Sequence, residues 1–363
     1  MTALAIVRER REVVGGRLRT ALLQVVTRRA APYGFAVIRI GFGVVTLVLL
    51  VLNGRSADRL WGPSGPFDLE LDRHYLALSG SFSLFALSGA SWWTTGLLAL
   101  TAATAGAFML GWHTRLACPM LALLVFSLQE RNPYITDGGD NLLRILLVYL
   151  IFADCGARWS LDARRQQPPD PGSVRWQLGS VLHNAALALV VFQVCVVYET
   201  AGLAKVQGPK WQDGTAIYYV LRDAQFATWP GISRLVSQDA VLVNLLTWGT
   251  VLLQVAFPLL LLRTWTRRAA LAATTSFHLG IGLLMGLPLF SATMILSEAV
   301  LVSDRAWEAL GRAVGRTIRS GRAGPPGVPD LPAALSRPER TPESTSAGTR
   351  PGGTAAGSLS RLS

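Results

Sequence analysis

Eight apolar runs alternate with polar segments along the chain, and most of these runs carry one charged residue or none. A helix of about 20 apolar residues crosses the hydrocarbon core of a bilayer, which is about 30 Å thick. The pattern therefore predicts an all-α polytopic membrane protein, a bundle of about eight transmembrane helices. The predicted limits are 33–53, 92–111, 114–128, 141–155, 178–203, 240–262, 268–286 and 288–303.

Three of these runs, the third, fourth and eighth, are short and need flanking residues or a locally thinner bilayer to cross. The last two are separated only by Gly286, Leu287 and Pro288, which is typical of a turn or a helix break. Residues 268–303 are therefore expected to form either two spans or one broken helix.

The composition supports a membrane protein, because 51% of the 363 residues are apolar and only 15% are charged. Soluble domains carry roughly 25% charged residues. The net charge is +12, and the basic residues lie at the ends of apolar runs and in the terminal segments. Basic residues in such positions interact with anionic lipid. The predicted partner is thus membrane lipid, and no nucleic-acid binding is expected.

The basic residues also predict an orientation. With Arg268 included, segments 1–32, 112–115, 156–177, 263–267 and those after 303 hold 24 Lys and Arg, whereas the intervening loops hold eight. The positive-inside rule then puts both termini in the cytoplasm of a bacterial-type cell. The predicted organisation is a basic arm at 1–30, a transmembrane domain at 31–304 and a basic tail rich in Pro, Gly and Ser at 305–363.

Ionisable residues inside a membrane are costly, so each is a candidate for function or for a buried pair. Asp140 and Arg144 are four residues apart at the start of the fourth run and can pair on one helix face. Asp137 and Asn141 lie in the same polar stretch. Either Asp140 or Asn141 caps the helix and Arg144 neutralises a carboxylate, or this stretch contacts a substrate.

Arg39 in the first run and Glu298 in the last have opposite charges and are interpreted as structural, paired with each other or with other groups. His278 in the seventh run is either a residue that bridges helices or a member of a site. His183 is expected to be structural. Three cysteines lie singly in apolar runs without metal-ligand spacing, so no metal site is expected.

The segment around Lys205 is the richest in candidate chemistry. A helix that continues to Lys205 places Tyr198, Gly202 and Lys205 on one face, with Trp211 shortly after. The chain has 32 arginines and two lysines, Lys205 and Lys210. Lysine, unlike arginine, can act as a base when it is poorly hydrated. Lys205 is therefore a candidate base, with an interfacial lysine that extends to water as the alternative.

These motifs resemble those of the HTTM (horizontally transferred transmembrane) domain family and of the membrane portion of vitamin K-dependent γ-glutamyl carboxylase. The resemblance covers roughly residues 30–303. It rests on Tyr198-x-x-Ala-Gly-x-x-Lys205 followed by Trp211 and Gly214, on Asp137-Gly-Gly-Asp140-Asn141 followed by Trp159-Ser-Leu-Asp162, on Arg39, and on Phe277-His278.

The resemblance implies carboxylase-like lyase or oxidoreductase chemistry on the external face. Lys205 would deprotonate reduced vitamin K or another quinol, with His278 nearby. Ala204 stands where the carboxylase has a second lysine, so γ-carboxylation itself is not expected. The resemblance also allows a role in maturing a small peptide. The alternatives are a non-catalytic bundle that binds a lipid, quinone or partner membrane protein, and a transporter.

Overall fold

The computed structural model describes residues 23–165, 170–226 and 228–322, and within these ranges the chain is helical without a β-strand. The helices with defined bounds are α1 (Pro32–Asn53), α2 (Ala57–Trp61), α3 (Leu69–Ser79), α4 (Ser91–Leu110), α5 (Thr114–Arg131), α6 (Gly138–Leu150), α7 (Leu161–Arg165), α8 (Val174–Val206), α9 (Pro209–Gln212), α10 (Ala216–Arg222), α11 (Pro230–Gln238), α12 (Ala240–Leu260), α13 (Thr264–Leu284), α14 (Pro288–Ser297) and α15 (Asp304–Arg322).

All eight predicted apolar runs are helical, in α1, α4, α5, α6, α8, α12, α13 and α14. Four helical stretches are long and apolar enough to cross a membrane: Pro32–Trp61, Ser91–Leu110, Val174–Val206 and Ala240–Leu260. The 10 residues of α14 extend only about 15 Å, half of a hydrocarbon core. The expected count of eight spans therefore exceeds the four that length and apolarity define.

The last two apolar runs form a hairpin rather than one broken helix. Gly286 has a positive φ of 70°, which an L side chain rarely adopts, and Pro288 begins α14. The two helices are antiparallel, since Thr274 Oγ1 lies 2.7 Å from Glu298 Oε2 on the 3₁₀ turn Glu298–Leu301. The turn at Gly286 reverses the chain, so that Glu298, after α14, lies against the middle of α13.

Arg39 of α1 binds two other segments at one end of the bundle. This end holds residues 28–33, 108–115 and 154–165 and is called here the terminal end. Its guanidinium is fully buried and donates to five backbone carbonyls, those of Phe108, Met109, Cys155, Arg158 and Trp159. Among the described residues it forms no ion pair, so the interpretation that Arg39 pairs with Glu298 is wrong. Two of these carbonyls, those of Phe108 and Met109, are at the C-terminal end of α4, and the other three are in the loop 155–159. Together they take the place of a carboxylate.

Asp162 caps helix α5 from a distant part of the chain. The N-cap residue His113 provides no side-chain cap, and the Asp162 carboxylate accepts from His113 N at 3.0 Å and from Thr114 N and Oγ1 at 2.8 Å. Burial alone would raise the pKa of Asp162. The three hydrogen bonds outweigh that effect and hold its pKa below the ordinary value.

The predicted basic arm contacts the terminal end where it is described. Asn184 Nδ2 donates to the Arg28 carbonyl at 2.7 Å, and Arg29 pairs with Asp154. His183 Nε2 lies 2.7 Å from the Ala30 carbonyl, which agrees with its expected structural role. Residues 1–22 of the arm and 323–363 of the tail lie outside the described residues. The chain divides into two units, Met1–Ala313 and Val314–Ser363, and α15 begins in the first.

The outer surface of the bundle is strongly apolar. Large side chains such as Val51, Leu252 and Leu262 are 78%, 65% and 79% exposed. A soluble monomer rarely presents wide apolar patches to water, whereas lipid chains solvate such a surface well. The interior carries aliphatic side chains of α1, α6 and α8. The fold is therefore that of a helical membrane bundle.

We predict that Arg39→Lys destabilises the protein by about 2–4 kcal/mol, because three ammonium donors cannot satisfy five carbonyls. The measurement is thermal unfolding in detergent, followed by tryptophan fluorescence. Arg55→Lys, at an exposed position, is the control and should leave the midpoint unchanged. Equal midpoints for Arg39→Lys and wild type would contradict the role given to the guanidinium.

The Asp162 cap predicts that the stability of the fold depends on pH. Because its pKa is lower in the folded state, Asp162 stabilises the fold above the unfolded pKa of about 3.9, and this contribution is lost as the pH falls through the folded pKa. The difference in unfolding midpoint between wild type and Asp162→Asn should therefore shrink on acidification below about pH 4. Glu70→Gln, at an exposed site, should follow wild type. A constant difference would refute the cap.

Candidate functional site

Helix α8 places the predicted site residues on one face. It continues to Val206, so Tyr198, Gly202 and Lys205 succeed each other along the same side, as expected. Tyr198 and Gly202 are buried and Lys205 is half-buried. The face thus runs from the bundle interior to the other end of the molecule. This end holds residues 54–90, 131–138 and 207–239 and is called the loop end.

A buried polar cluster surrounds the Tyr198 hydroxyl. The hydroxyl oxygen lies 2.8 Å from His278 Nε2 and forms a short hydrogen bond with Glu298 Oε1. Thr274 Oγ1 lies 2.7 Å from the other carboxylate oxygen of Glu298. The four residues come from α8, α13 and the turn after α14, and none is more than 3% exposed. These four side chains are called the polar cluster below.

Aromatic rings enclose the polar cluster. The Phe257 ring lies 4.3 Å from the ring of Tyr198, and the Phe277 and Phe290 rings lie 5.1 Å and 5.7 Å from the imidazole of His278. Such surroundings have a low dielectric constant, in which hydrogen bonds strengthen and unpaired polar atoms are costly. The cluster is therefore a place where the position of each proton has a large energetic consequence.

Among the described residues, three polar atoms in or beside the cluster have no hydrogen-bond partner. They are Nδ1 of His278, Oε1 of Gln254 and Oγ of Ser291, and their side chains are at least 95% buried. Gly202 packs against Gln254, since an added Cβ would lie 3.0 Å from the Cβ of Gln254. Gly202 is one helical turn beyond Tyr198 toward the loop end. Gln254 thus lies on the Lys205 side of Tyr198.

Lys205 does not belong to the polar cluster itself. Its Nζ donates to the Ala201 carbonyl at 3.3 Å and lies 5.2 Å from the centre of the Trp211 ring. Seven residues of helix separate it from Tyr198, a rise of about 10 Å. The structure therefore brings Lys205 together with Trp211, and this pair lies closer to the loop end than Tyr198 and its partner His278.

The stretch before α6 differs from the expected arrangement. Arg144 binds Glu130 at 2.6 Å, not Asp140. The N-cap is Asp137, and the Asp140 side chain accepts from Asp137 N at 3.0 Å, which completes a capping box. Asn141 is exposed. The expected pair on one helix face is absent because Asp140 bonds back to the cap while Arg144 reaches the neighbouring helix.

This stretch nevertheless borders the polar cluster. Gly139 packs on the backbone of Phe290, since an added Cβ would lie 2.9 Å from its Cα. Phe290 in turn contacts the imidazole of His278. One aromatic ring thus separates the start of α6 from the cluster.

Three polar residues in or beside the cluster, Thr274, Gln254 and Ser291, were not predicted from the sequence. Thr274 is four residues before His278, so helical spacing alone would have placed both on one face. Gln254 and Ser291 gave no comparable signal, since single neutral polar residues are common in apolar helices. Glu298 was interpreted as a structural charge, and the structure instead joins it to Tyr198 and Thr274.

An apolar outer surface around an enclosed polar cluster defines a polytopic helical membrane protein. The sequence profile of the HTTM domain family matches residues 28–307, and the chain belongs to that family. The Bacillus subtilis (strain 168) protein named "Uncharacterized protein YitO" is similar, with 25% identity over 193 residues. The aligned region is 51% of this chain and 60% of YitO, less than two thirds of that relative's length. No solved structure matches.

Helices α8 and α12 pack closely at Gly202, so a side chain at this position is expected to destabilise the protein. A Cβ at this position would lie 2.8 Å from Val255 Cγ2 and 3.0 Å from the Val255 nitrogen. We expect Gly202→Ala to cost about 1–3 kcal/mol through overpacking. Gly249→Ala, in open space on α12, is the matched control and should be neutral or stabilising by up to about 1 kcal/mol. Unfolding in detergent measures both, and equal effects would contradict the close packing.

Proposed function

We propose that this HTTM-domain protein removes a proton from a lipid-soluble quinol or a peptide at the loop end of the bundle, with Lys205 as the base. The proposal rests on one observation about the lysine amine. Lys205 is half-buried, and no carboxylate of the described residues lies within ion-pair distance of its Nζ. An amine held by a carbonyl and an aromatic ring is not fixed as a permanent ion pair.

The remaining side chains have supporting roles in this proposal. The Trp211 ring beside the amine offers a flat apolar surface for a quinol ring, and Tyr198 and His278 provide polar groups deeper in the bundle. Asp137, Asp140, Asn141 and Arg144 form the border of the site behind Phe290. In the reaction the hydroxyl proton of the quinol passes to the neutral Lys205 amine, which leaves a quinolate and an ammonium group.

The orientation is part of the proposal. The distribution of basic residues supports an orientation with both termini in the cytoplasm, in which the loop end and Lys205 face the outside of the cell. The chemistry would then resemble that of the carboxylase membrane portion, with reduced vitamin K or a related quinol as cofactor. A small peptide at the external face is the other substrate class.

A second candidate function is non-catalytic binding of an apolar chain. A groove of about 240 Å³ between α12 and α13 is lined by apolar side chains, including Leu253, Leu260 and Trp265. Such a groove fits part of an acyl or isoprenoid chain. The groove lies near the connection between α12 and α13, away from Lys205, so in this case Lys205 is not a base and contributes only a charge that arginine would also supply.

Lys205→Arg separates the two functions, because arginine keeps the charge and cannot act as a base. In proteoliposomes supplied with reduced vitamin K, we expect Lys205→Arg and Lys205→Ala to lower quinol-dependent oxygen uptake by about 100-fold or more. Lys210→Arg is the matched control and should retain wild-type uptake. Undiminished uptake by Lys205→Arg would reject the base, and a wild-type protein without quinol-dependent uptake would favour the binding function.

A further inference from the structure

The Tyr198 hydroxyl lies between a base and an acid and has only one proton. It contacts His278 Nε2 at 2.8 Å and Glu298 Oε1 in a short hydrogen bond. A hydroxyl donates once and accepts with its other lone pairs. It therefore donates to one of the two neighbours and accepts from the other, and the direction at one contact determines the direction at the other.

Two proton arrangements satisfy these contacts. In the first, Glu298 is ionised and accepts from Tyr198, while Nε2 of His278 carries a proton and donates to the Tyr198 oxygen. In the second, Glu298 is protonated and donates to Tyr198, which donates to a bare Nε2. Since His278 stays neutral in both, its Nδ1 is bare in the first arrangement and carries the proton in the second.

We propose that His278, Tyr198 and Glu298 form a proton relay, with Nδ1 of His278 as the entry atom and Glu298 as the store. An N–H bond forms at Nδ1 and the Nε2–H bond breaks. The released proton binds the Tyr198 oxygen, whose own proton moves to Glu298. One proton enters, one carboxylate becomes a carboxylic acid, and no other group changes its charge.

The environment of Nδ1 fits an entry atom. Within the described part of the chain Nδ1 has no hydrogen-bond partner although His278 is 2% exposed, and Gln254 Oε1 and Ser291 Oγ beside the cluster are likewise unpartnered there. Gln254 lies beside Gly202, which is on the Lys205 side of Tyr198. The relay rests on the proposed function for its source of protons, since the Lys205 ammonium must lose a proton before it can act again.

The other charged groups on the packed helices have separate partners. Arg39 of α1 binds backbone carbonyls, and Arg144 of α6 binds Glu130. Asp140 bonds to its own N-cap, and Glu199 of α8 is exposed. The relay is therefore a neutral histidine, a tyrosine and one carboxyl group, without a cation among the described residues to fix the carboxyl as an anion.

Nitrogen NMR of the full-length protein in lipid bilayers tests the relay, with ¹⁵N-labelled histidine and the His278 signals assigned by their loss in His278→Gln. Between about pH 9 and about pH 5, we expect His278 to change from the Nε2–H to the Nδ1–H tautomer while it stays neutral. The infrared band of a protonated carboxylic acid should appear over the same range and be lost in Glu298→Gln.

Variants decide whether the two changes are coupled through Tyr198. Tyr198→Phe should abolish the tautomer change, whereas Tyr149→Phe, which removes a hydroxyl bonded to Gln193, should leave it intact. Glu298→Gln keeps the side-chain shape and should also abolish it, so it carries the test if Tyr198→Phe does not fold. Formation of a His278 imidazolium, or a tautomer change that persists in Glu298→Gln, would overturn the relay.

The outcome is separable from that of the proposed function. Lys205→Ala should abolish oxygen uptake and leave the tautomer change of His278 in place. If the change is absent while uptake still depends on Lys205, the relay is wrong and the base assignment stands. If uptake does not depend on Lys205 and the change is present, the relay stands and the base assignment is wrong.

Discussion

A polar group in hydrocarbon must find its hydrogen-bond partner within the protein. This constraint determines where the buried polar side chains of the bundle lie and what they bind. Arg39 meets it at the terminal end by binding carbonyls of two segments, 108–109 and 155–159. The polar cluster meets it in the interior by linking α8 to the last hairpin. The apolar helices pack without a preferred register against lipid, so these few directional contacts define how the helices are arranged.

The site is arranged in layers along α8. The polar cluster is the deepest layer, the small Gly202 with its neighbour Gln254 forms the next, and Lys205 with Trp211 lies closest to the loop end. Each layer is about one helical turn from the next. Groups of different polarity thus follow each other at fixed intervals from the interior to the surface, which suits a site where a lipid-soluble molecule and a proton approach from different directions.

The positions of the helices could be predicted from the sequence, because period and length are local properties. The shared face of Tyr198, Gly202 and Lys205 followed from helical spacing in the same way. The partners of Arg39 and Arg144 could not be predicted. Arg39 binds backbone carbonyls that leave no trace in residue type, and Arg144 chooses Glu130 on a neighbouring helix over a carboxylate four residues away. Such choices depend on packing between distant segments.

The hairpin of α13 and α14 has a consequence for how the protein is made. Three of the four polar-cluster residues, Thr274, His278 and Glu298, belong to this hairpin and the turn after it, which are synthesised after α8 with its Tyr198. The hairpin therefore brings an acidic group and an imidazole into the bilayer before their phenolic partner is reached. Docking against α8 completes their hydrogen bonds, so it is expected to be a late step in the biogenesis of the bundle. A hairpin that fails to dock would expose a carboxyl group to lipid, which quality-control proteases could recognise.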